Sequence, residues 1–509
     1  MTKNNLIKSF AFFAITISLF SCKHKDQGGA DPFVTFDPYD KEIAYRVEAY
    51  HSANIPNIAN SKTGNPSIFI DFSSGINTAL KDPTIKTLIN SCYNQLTGNG
   101  MLCVYRLGNH QVSPPLITDK SLPDDFYNPG SYGDNYAPIE VAVDSISRKD
   151  NDALLITDYE EIQNGNEITD KNFLKKYFVN WLNKGNSIHF FVGPEYLEGK
   201  IRKHIYFTIF NCGNADNNSM LTKLSDVLKS LPNYTLSNKT YKLSTKYPTQ
   251  KSGGIFYDQS GKTEKDKNVL DLKDNYLNGI NKGNYFEFYP FGLDWKFIDK
   301  THTTYQSQNQ FPHFFSNLFI DLSNEDAYTY SDFDVKVTDA TEDFAFFAKC
   351  NEASQHKPKL AIGTNGESKF DDNEKDPVAT SCYDTKGILK DNWKYKPIEV
   401  KTLPEVFVLN KELFNNNKTA HKDNVEFAIA FDPKFNLKNI PNPDGLMKVD
   451  IIINSATPNL TNPILDKFKW TNSKGIENKG LYESIKSTLD DVKPINKSIY
   501  TYYIKTNSK

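Results

Sequence analysis

Apolar and polar positions along this chain follow two regimes. From about Pro66, short apolar runs alternate with stretches of helical spacing. The run SIFID, Ser67 to Asp71, has the continuous apolar character of a strand buried in a parallel sheet. Pro83 follows Asp82 at a first helical position, and Ile85, Leu88, Ile89, Cys92 and Leu96 recur at helical period until Gly98. MLCVYRL (101–107), ALLITD (153–158), SIHFFVG (187–193) and HIYFTIF (204–210) predict further strands. IEVAVDSI after Pro138, FLKKYFVNWLNKG (173–185) and MLTKLSDVLKSL (220–231) predict helices. Strands interleaved with helices in this way predict an α/β domain over residues 63–232, built on a doubly wound, mostly parallel sheet.

Beyond Pro232 the period changes. FEFYPFGLDW, NLFIDL, FDVKVT, FAFFAKC, EVFVLN, VEFAIAF and KVDIIINS read as strands, separated by Asn, Asp, Gly, Lys and Pro clusters. They predict a β-rich region with long polar loops over 233–390 and a C-terminal β-sandwich-like domain over 391–509. GLYESIKSTLDDV (480–492) predicts a late helix before a final strand, IYTYYIK.

Composition narrows the function classes. Aromatic residues make up 13% of the chain, and disordered chains are poor in aromatics, so the bulk is expected to fold. The 59 basic and 62 acidic residues leave a formal charge of −3, which provides no global basic field for nucleic acid. No second apolar run approaches membrane-spanning length, which argues against a polytopic membrane protein.

The amino terminus reads as an address. Lys3 and Lys8 flank the start of FAFFAITISLF (10–20), a match to a signal-peptide core. Leu19-Phe20-Ser21-Cys22 resembles the lipobox of bacterial lipoproteins. The resemblance implies removal of residues 1–21, acylation (palmitate among the chains) of Cys22, and a tether with an N-terminal extension over 22–62. Each buried methylene contributes about 0.8 kcal/mol, so several chains anchor stably where one does not. Lys23 rather than Asp follows the cysteine, so the resemblance points to the outer membrane, with the face left open. Of the five remaining cysteines, Cys350 and Cys382 lie among polar loops and are a candidate disulfide.

In an open α/β sheet, ligands bind beyond the carboxyl ends of the strands. The predicted ends read Asp71-Phe72-Ser73-Ser74-Gly75, Thr157-Asp158-Tyr159-Glu160-Glu161 and Gly193-Pro194-Glu195. Three strands thus bring carboxylates to one edge with hydroxyls between them, a donor set that suits Mg²⁺. The segment resembles the von Willebrand factor A-like domain with its metal-ion-dependent adhesion site. Asp71 and Ser73 match that family's first loop and Asp158 its third. Gly75 stands where the pattern has its second Ser, Asn135 or Asp134 where it has Thr, and Tyr159 where it has Gly. The resemblance implies Mg²⁺ or Mn²⁺ held by Asp71, Ser73, Asp158 and Asn135, and a protein partner whose carboxylate completes the shell. Glu160, Glu161 and Glu195 would then be rim charges that tune the partner. The function expected is that of a membrane-anchored envelope lipoprotein that binds a macromolecule and is not an enzyme.

Three rival readings use other residues. Cys212 after HIYFTIF and His110 after MLCVYRL would share a sheet edge as a Cys/His hydrolase pair. Asp71 at the end of the first strand could serve a metal-dependent phosphohydrolase, although Ser73 stands where a second carboxylate is needed. The aromatic segment FEFYPFGLDW could form a glycan platform. His189, inside an apolar strand, reads as a core histidine.

Overall fold

The computed structural model describes residues 41–54, 62, 64–97, 101–118, 122–134, 136–213, 219–230, 240–245, 255–257, 286–291, 313–321, 327–362, 368–370, 381–409, 424–432, 434, 440–442, 444–495 and 498–506. The signal-like run, Cys22 and Asn135 lie outside them. Among the described residues no helix is long and apolar enough to cross a membrane.

The first half forms strands β1 (Ser67–Asp71), β2 (Leu102–Gly108), β3 (Gln111–Val112), β4 (Leu116–Thr118), β5 (Ala153–Thr157), β6 (Ile162–Gln163), β7 (Asn166–Glu167), β8 (Ser187–Glu198), β9 (Ile201–Asn211) and β10 (Thr240–Ser244). All but the β6–β7 ribbon join one mixed sheet in the order β10-β8-β9-β5-β1-β2-β3, with β4 also on β2. β1 runs parallel to both β2 and β5, as their apolar runs predict. The doubly wound expectation fails on the far side of β5, where β9 is antiparallel to β5 and β8 antiparallel to β9. Only Gly199 and Lys200 separate β8 from β9. A parallel crossover needs a dozen residues or more, so two residues can make only a hairpin. Gly199 takes φ +63°, the left-handed region that such a tight turn demands.

Helix α1 (Lys41–Asn54) precedes this sheet, and α2 (Ser74–Ala79), α3 (Pro83–Thr97), α4 (Ile139–Ser147), α5 (Lys175–Asn183) and α6 (Met220–Ser230) accompany it. The period of two along β1 sends Ile68 and Ile70 to one face, where Ile76, Ile85, Leu88, Ile89 and Leu224 pack. Phe69 goes to the other face, with Ile139, Val143, Phe178 and Trp181.

The second half contains β11 (Ile255–Tyr257), β12 (Phe286–Phe291), β13 (His313–Asp321), β14 (Tyr328–Asp339), β15 (Leu360–Ile362), β16 (Ser368–Phe370), β17 (Lys401–Thr402), β18 (Phe407–Leu409) and β19 (Asn424–Phe431). β20 (Leu446–Pro458), β21 (Trp470–Thr471), β22 (Glu477–Asn478) and β23 (Ser498–Thr506) complete the strands, with α7 (Thr341–Gln355) and α8 (Gly480–Asp491) between them. One sheet has the order β11-β13-β19-β18 and another β12-β23-β20-β14-β17. Each draws strands from both sides of residue 390, so no domain boundary falls there. FAFFAKC is helical, not a strand: it lies in α7, where Phe344, Phe347, Ala348 and Cys350 are buried at helical spacing after an acidic first turn. The glycan-platform segment is strand over Phe286–Phe291; GLDW, residues 292–295, lies outside the described residues.

One hydrophobic cluster joins both halves. Phe468 packs against Phe190, Tyr206 and Tyr241 of the central sheet, while Leu481, Ile485 and Leu489 of α8 are buried in the same cluster. Ser484 Oγ accepts the Leu174 amide at the start of α5 (3.1 Å). Gly480 is required here: a Cβ would lie 2.9 Å from Phe173.

Helix α1 docks on the second half. Tyr50 donates to Asp343 Oδ2 (2.6 Å), which also accepts Tyr395 (2.8 Å), while Asp343 Oδ1 takes the Ile398 amide (2.9 Å). His51 Nδ1 pairs with Tyr503 Oη at 3.1 Å. Burial, aided by Lys448 and opposed by Asp450, lowers the His51 pKa from 6.5 to about 4. Below pH 6.5 the unfolded chain takes up a proton that the folded chain refuses, so this contribution is complete above pH 6.5 and shrinks as pH falls toward 4. It amounts to about 3 kcal/mol. Melting temperature followed from pH 7.5 to 4.5 should therefore fall less steeply for His51→Gln than for the wild type.

Candidate functional site

The parallel register of β1 with β5 sets Ile70 opposite Ile156, so Asp71 and Asp158 emerge at the same, carboxyl-end edge. Both are about 1% exposed. Asp71 Oδ1 accepts the Ser73 amide (2.8 Å) and Oδ2 accepts Thr157 Oγ1 (2.8 Å). Burial and the Asp158 charge raise the Asp71 pKa, while bonds from Ser73 and Thr157 oppose the shift. Ser73 precedes α2 but its side chain makes no capping bond. The first loop is pinned to the second by a bridge between Ser73 and Asp134, and Ser74 donates its amide to the Asp134 carbonyl (3.1 Å). The Asp134 carboxylate is itself engaged by Arg106 (2.9 Å) and Asn109 (3.0 Å).

The β8–β9 hairpin overhangs this edge. β5 has 5 residues, whereas β8 has 12 and β9 has 11, so the pair runs past the end of its neighbour. The pairing shifts register between Val192 and Glu195, where Gly193 lies so close to Ile205 that a Cβ would meet its carbonyl at 2.7 Å. Beyond this bulge Tyr196 pairs with Lys203, and opposed residues point to one face. Tyr196 Oη donates to Asp158 Oδ2 (2.9 Å). Lys203 Nζ donates to Glu198 (2.7 Å), Glu160 (2.8 Å) and Asp158 (3.5 Å), with its side chain 1% exposed. Burial pulls the Lys203 pKa down, but the three carboxylates outweigh it and hold the ammonium above its ordinary value. Burial and Asp158 raise the Glu160 pKa, against the pull of Lys203.

Asp71, Ser73 and Asp158 thus come to one edge, as do Glu160 and Glu195, but their roles differ from those expected. Glu161 is not a rim charge: it is 5% exposed and accepts the Glu140 amide at the start of α4 (3.0 Å). Burial, opposed by that amide bond, raises its pKa to about 7. Glu160 turns inward to Lys203. Glu195 alone of the three is exposed, and it pairs with Arg202 at 2.7 Å. Tyr159, where the resembled pattern has Gly, takes φ +61°. Its bond to Thr208 (2.7 Å) and its packing against Tyr206 hold this left-handed conformation.

A divalent ion does not fit the Asp158, Glu160 and Glu198 cluster as it stands. Asp158, Glu160 and Glu198 bring carboxylate oxygens within 4.8 Å of one another, but the Lys203 ammonium is bonded to all three. A second cation there would face that charge at contact distance in a buried site. At Gly75 a Cβ would lie 2.7 Å from Asp158 Oδ2, so the second Ser of the resembled loop would crowd that carboxylate.

The Cys/His pair is separated by the strand reversal. His110 follows β2 at the carboxyl-end edge, whereas antiparallel β9 carries Cys212 to the opposite end, where its amide donates to Asp152 (2.9 Å). Burial, then Asp152 and Asp150, push the Cys212 thiol up to about 11, so no thiolate forms at neutral pH. Asp71 is enclosed by its donors, leaving no open carboxylate for phosphoryl transfer. Cys350 and Cys382 are both free thiols, each buried, so the candidate disulfide is not formed. Cys382 packs with Ala353 and Tyr383, and it is near enough to Cys350 to add to the upward push that burial gives the Cys350 thiol pKa. His189 bonds Ser187 Oγ (2.9 Å), and burial, then Lys242, lower its pKa to about 3.

Compared with family models, with curated proteins and with solved structures, the chain matches none. The contact at Gly75 yields a direct test of the edge. Gly75→Ser should not create a metal site but should lose about 1–3 kcal/mol of stability, measured by urea unfolding.

Proposed function

We propose that this chain is a lipid-anchored protein of the bacterial envelope, held through Cys22 at the outer membrane, whose α/β layer binds a protein partner. In this reading the layer is a divergent von Willebrand factor A-like domain that uses the same sheet edge without a metal ion. The observation that carries it is the division of labour along the β8–β9 hairpin. Its inward residues, Tyr196, Glu198 and Lys203, are bonded within the chain, while its outward residues are presented to solvent. Leu197 is 55% exposed beside Arg202 and Glu195, an apolar centre with charges of both signs around it. That mixture suits a protein surface better than a small substrate, since a well-formed ligand pocket is concave and mostly apolar.

Two measurements test the reading. Cys22→Ser should take up no alkyne-palmitate label and should move from the membrane pellet to the soluble fraction. Partners captured from native membranes should be retained in EDTA and lost with Leu197→Asp combined with Arg202→Glu. Capture that survives the double substitution would remove the hairpin from the interface, and capture abolished by EDTA would restore a metal-dependent mechanism.

A further inference from the structure

We infer that the outer side of residues 383–401, with the exposed face of α1 beside it, is a membrane-docking surface that lies on an anionic lipid bilayer. The inference rests on the anchor reading for where the bilayer is, but the surface itself is measured without the lipid.

Residues 383–401 run back along α7. Tyr383 Oη donates to the Ala353 carbonyl near the end of that helix (3.1 Å), and Tyr395 Oη donates to Asp343 near its start (2.8 Å). These inward side chains hold the segment down and leave its other side to solvent. All five of its lysines, Lys386, Lys390, Lys394, Lys396 and Lys401, are exposed. Lys349 of α7, also exposed, adds a further charge 4.9 Å from the centre of the Trp393 ring. Three acids accompany them: Asp384 accepts the Lys386 and Ile388 amides, Asp391 pairs with Lys394 (2.9 Å), and Glu399 is exposed. The balance of the segment is positive in a chain whose formal charge is −3.

Apolar side chains stand among these charges. Ile388 is 56% exposed and Ile398 is 41% exposed. Tyr395, between Lys394 and Lys396, accepts Asn54 Nδ2 of α1 (2.7 Å), so the lysines border that helix. The exposed positions described on α1 are Tyr45, Ala49, Ser52 and Ala53, one helical face with no charge on it. At 59%, Tyr45 is the most exposed large apolar side chain among the described residues. Lysine is depleted from protein–protein interfaces, whereas lysine beside isoleucine and tyrosine suits the headgroup region of a bilayer. The chain between Cys22 and α1, residues 23–40, reaches at most about 70 Å when fully extended. A contact made on so short a tether is intramolecular, so a surface of low intrinsic affinity is enough to hold it.

The test titrates the full chain carrying Cys22→Ser with vesicles of phosphatidylcholine, with and without phosphatidylglycerol, read by co-sedimentation. Lys3, Lys8 and the apolar run 10–20 are common to every variant, as are Asp371, Asp372, Glu374 and Asp376, which lie outside the described residues. Comparison between variants therefore reads the segment. Lys386→Glu, Lys394→Glu and Lys396→Glu together should weaken binding to the anionic vesicles at least about tenfold, with the melting temperature unchanged. The same reversal at Lys81, Lys86 and Lys200, in the first half, should change it by less than about twofold. Added NaCl should bring the parent chain down toward the reversed triple. Lys386→Gln, Lys394→Gln and Lys396→Gln should shift binding in the same direction by less, and they decide the matter if the glutamates prevent folding. A reversed triple that binds as tightly as its parent, or an equal loss from the first-half triple, would overturn the inference. That result beside a palmitate-labelled Cys22 would leave the anchor standing; an unlabelled Cys22 with the lysine dependence intact would do the reverse.

Discussion

A protonated amine with 1% of its side chain exposed can persist only if opposite charges reach it at hydrogen-bonding distance. That requirement governs the carboxyl-end edge of the central sheet. It fixes the β8–β9 hairpin over β5, draws Asp158, Glu160 and Glu198 to one point, and crowds the place that a side chain at Gly75 would take. The crevice that an open α/β sheet usually leaves for a ligand is filled here by the protein's own groups. The outer side of the hairpin stays exposed at Glu195, Leu197 and Arg202.

The same economy of parts extends to the second half. Its strands interleave across residue 390, and Phe468 and α8 complete the face of the central sheet that α5 only partly covers. One face of the central sheet is buried within the first half, whereas the other shares its cluster with residues of the second half. Asp343, with all its bonds supplied by Tyr50, Tyr395 and the Ile398 amide, shows the same dependence at the level of one side chain.

Much of the α/β layer was legible in the sequence because burial there is two-sided and the periods are clean. SIFID, ALLIT and the helix opened by Pro83 are where their patterns put them. Strand direction was not legible from apolar runs, and it moved Cys212 to the far edge; the signal was Gly199-Lys200, a link too short for a crossover. FAFFAKC was misread because aromatic density masks period, although the 344, 347, 348 spacing is helical. Glu161 looked like a rim charge because sequence does not show that its carboxylate reaches back across β5 to the first turn of α4. Lys203 was overlooked although it interrupts an alternating strand at a buried phase, which is the pattern that betrays an internal ion pair.

The position of α1 determines how the molecule responds to being pulled. The chain enters the described fold at this helix, and α1 is clasped to α7 and β23 by Tyr50 and His51 before the polypeptide proceeds to β1. Tension on the amino end therefore reaches the aromatic clasp first and spares the hydrogen bonds of the central sheet. The helix is thus placed like the collar on a cable, between the amino end of the described fold and the strands of the central sheet.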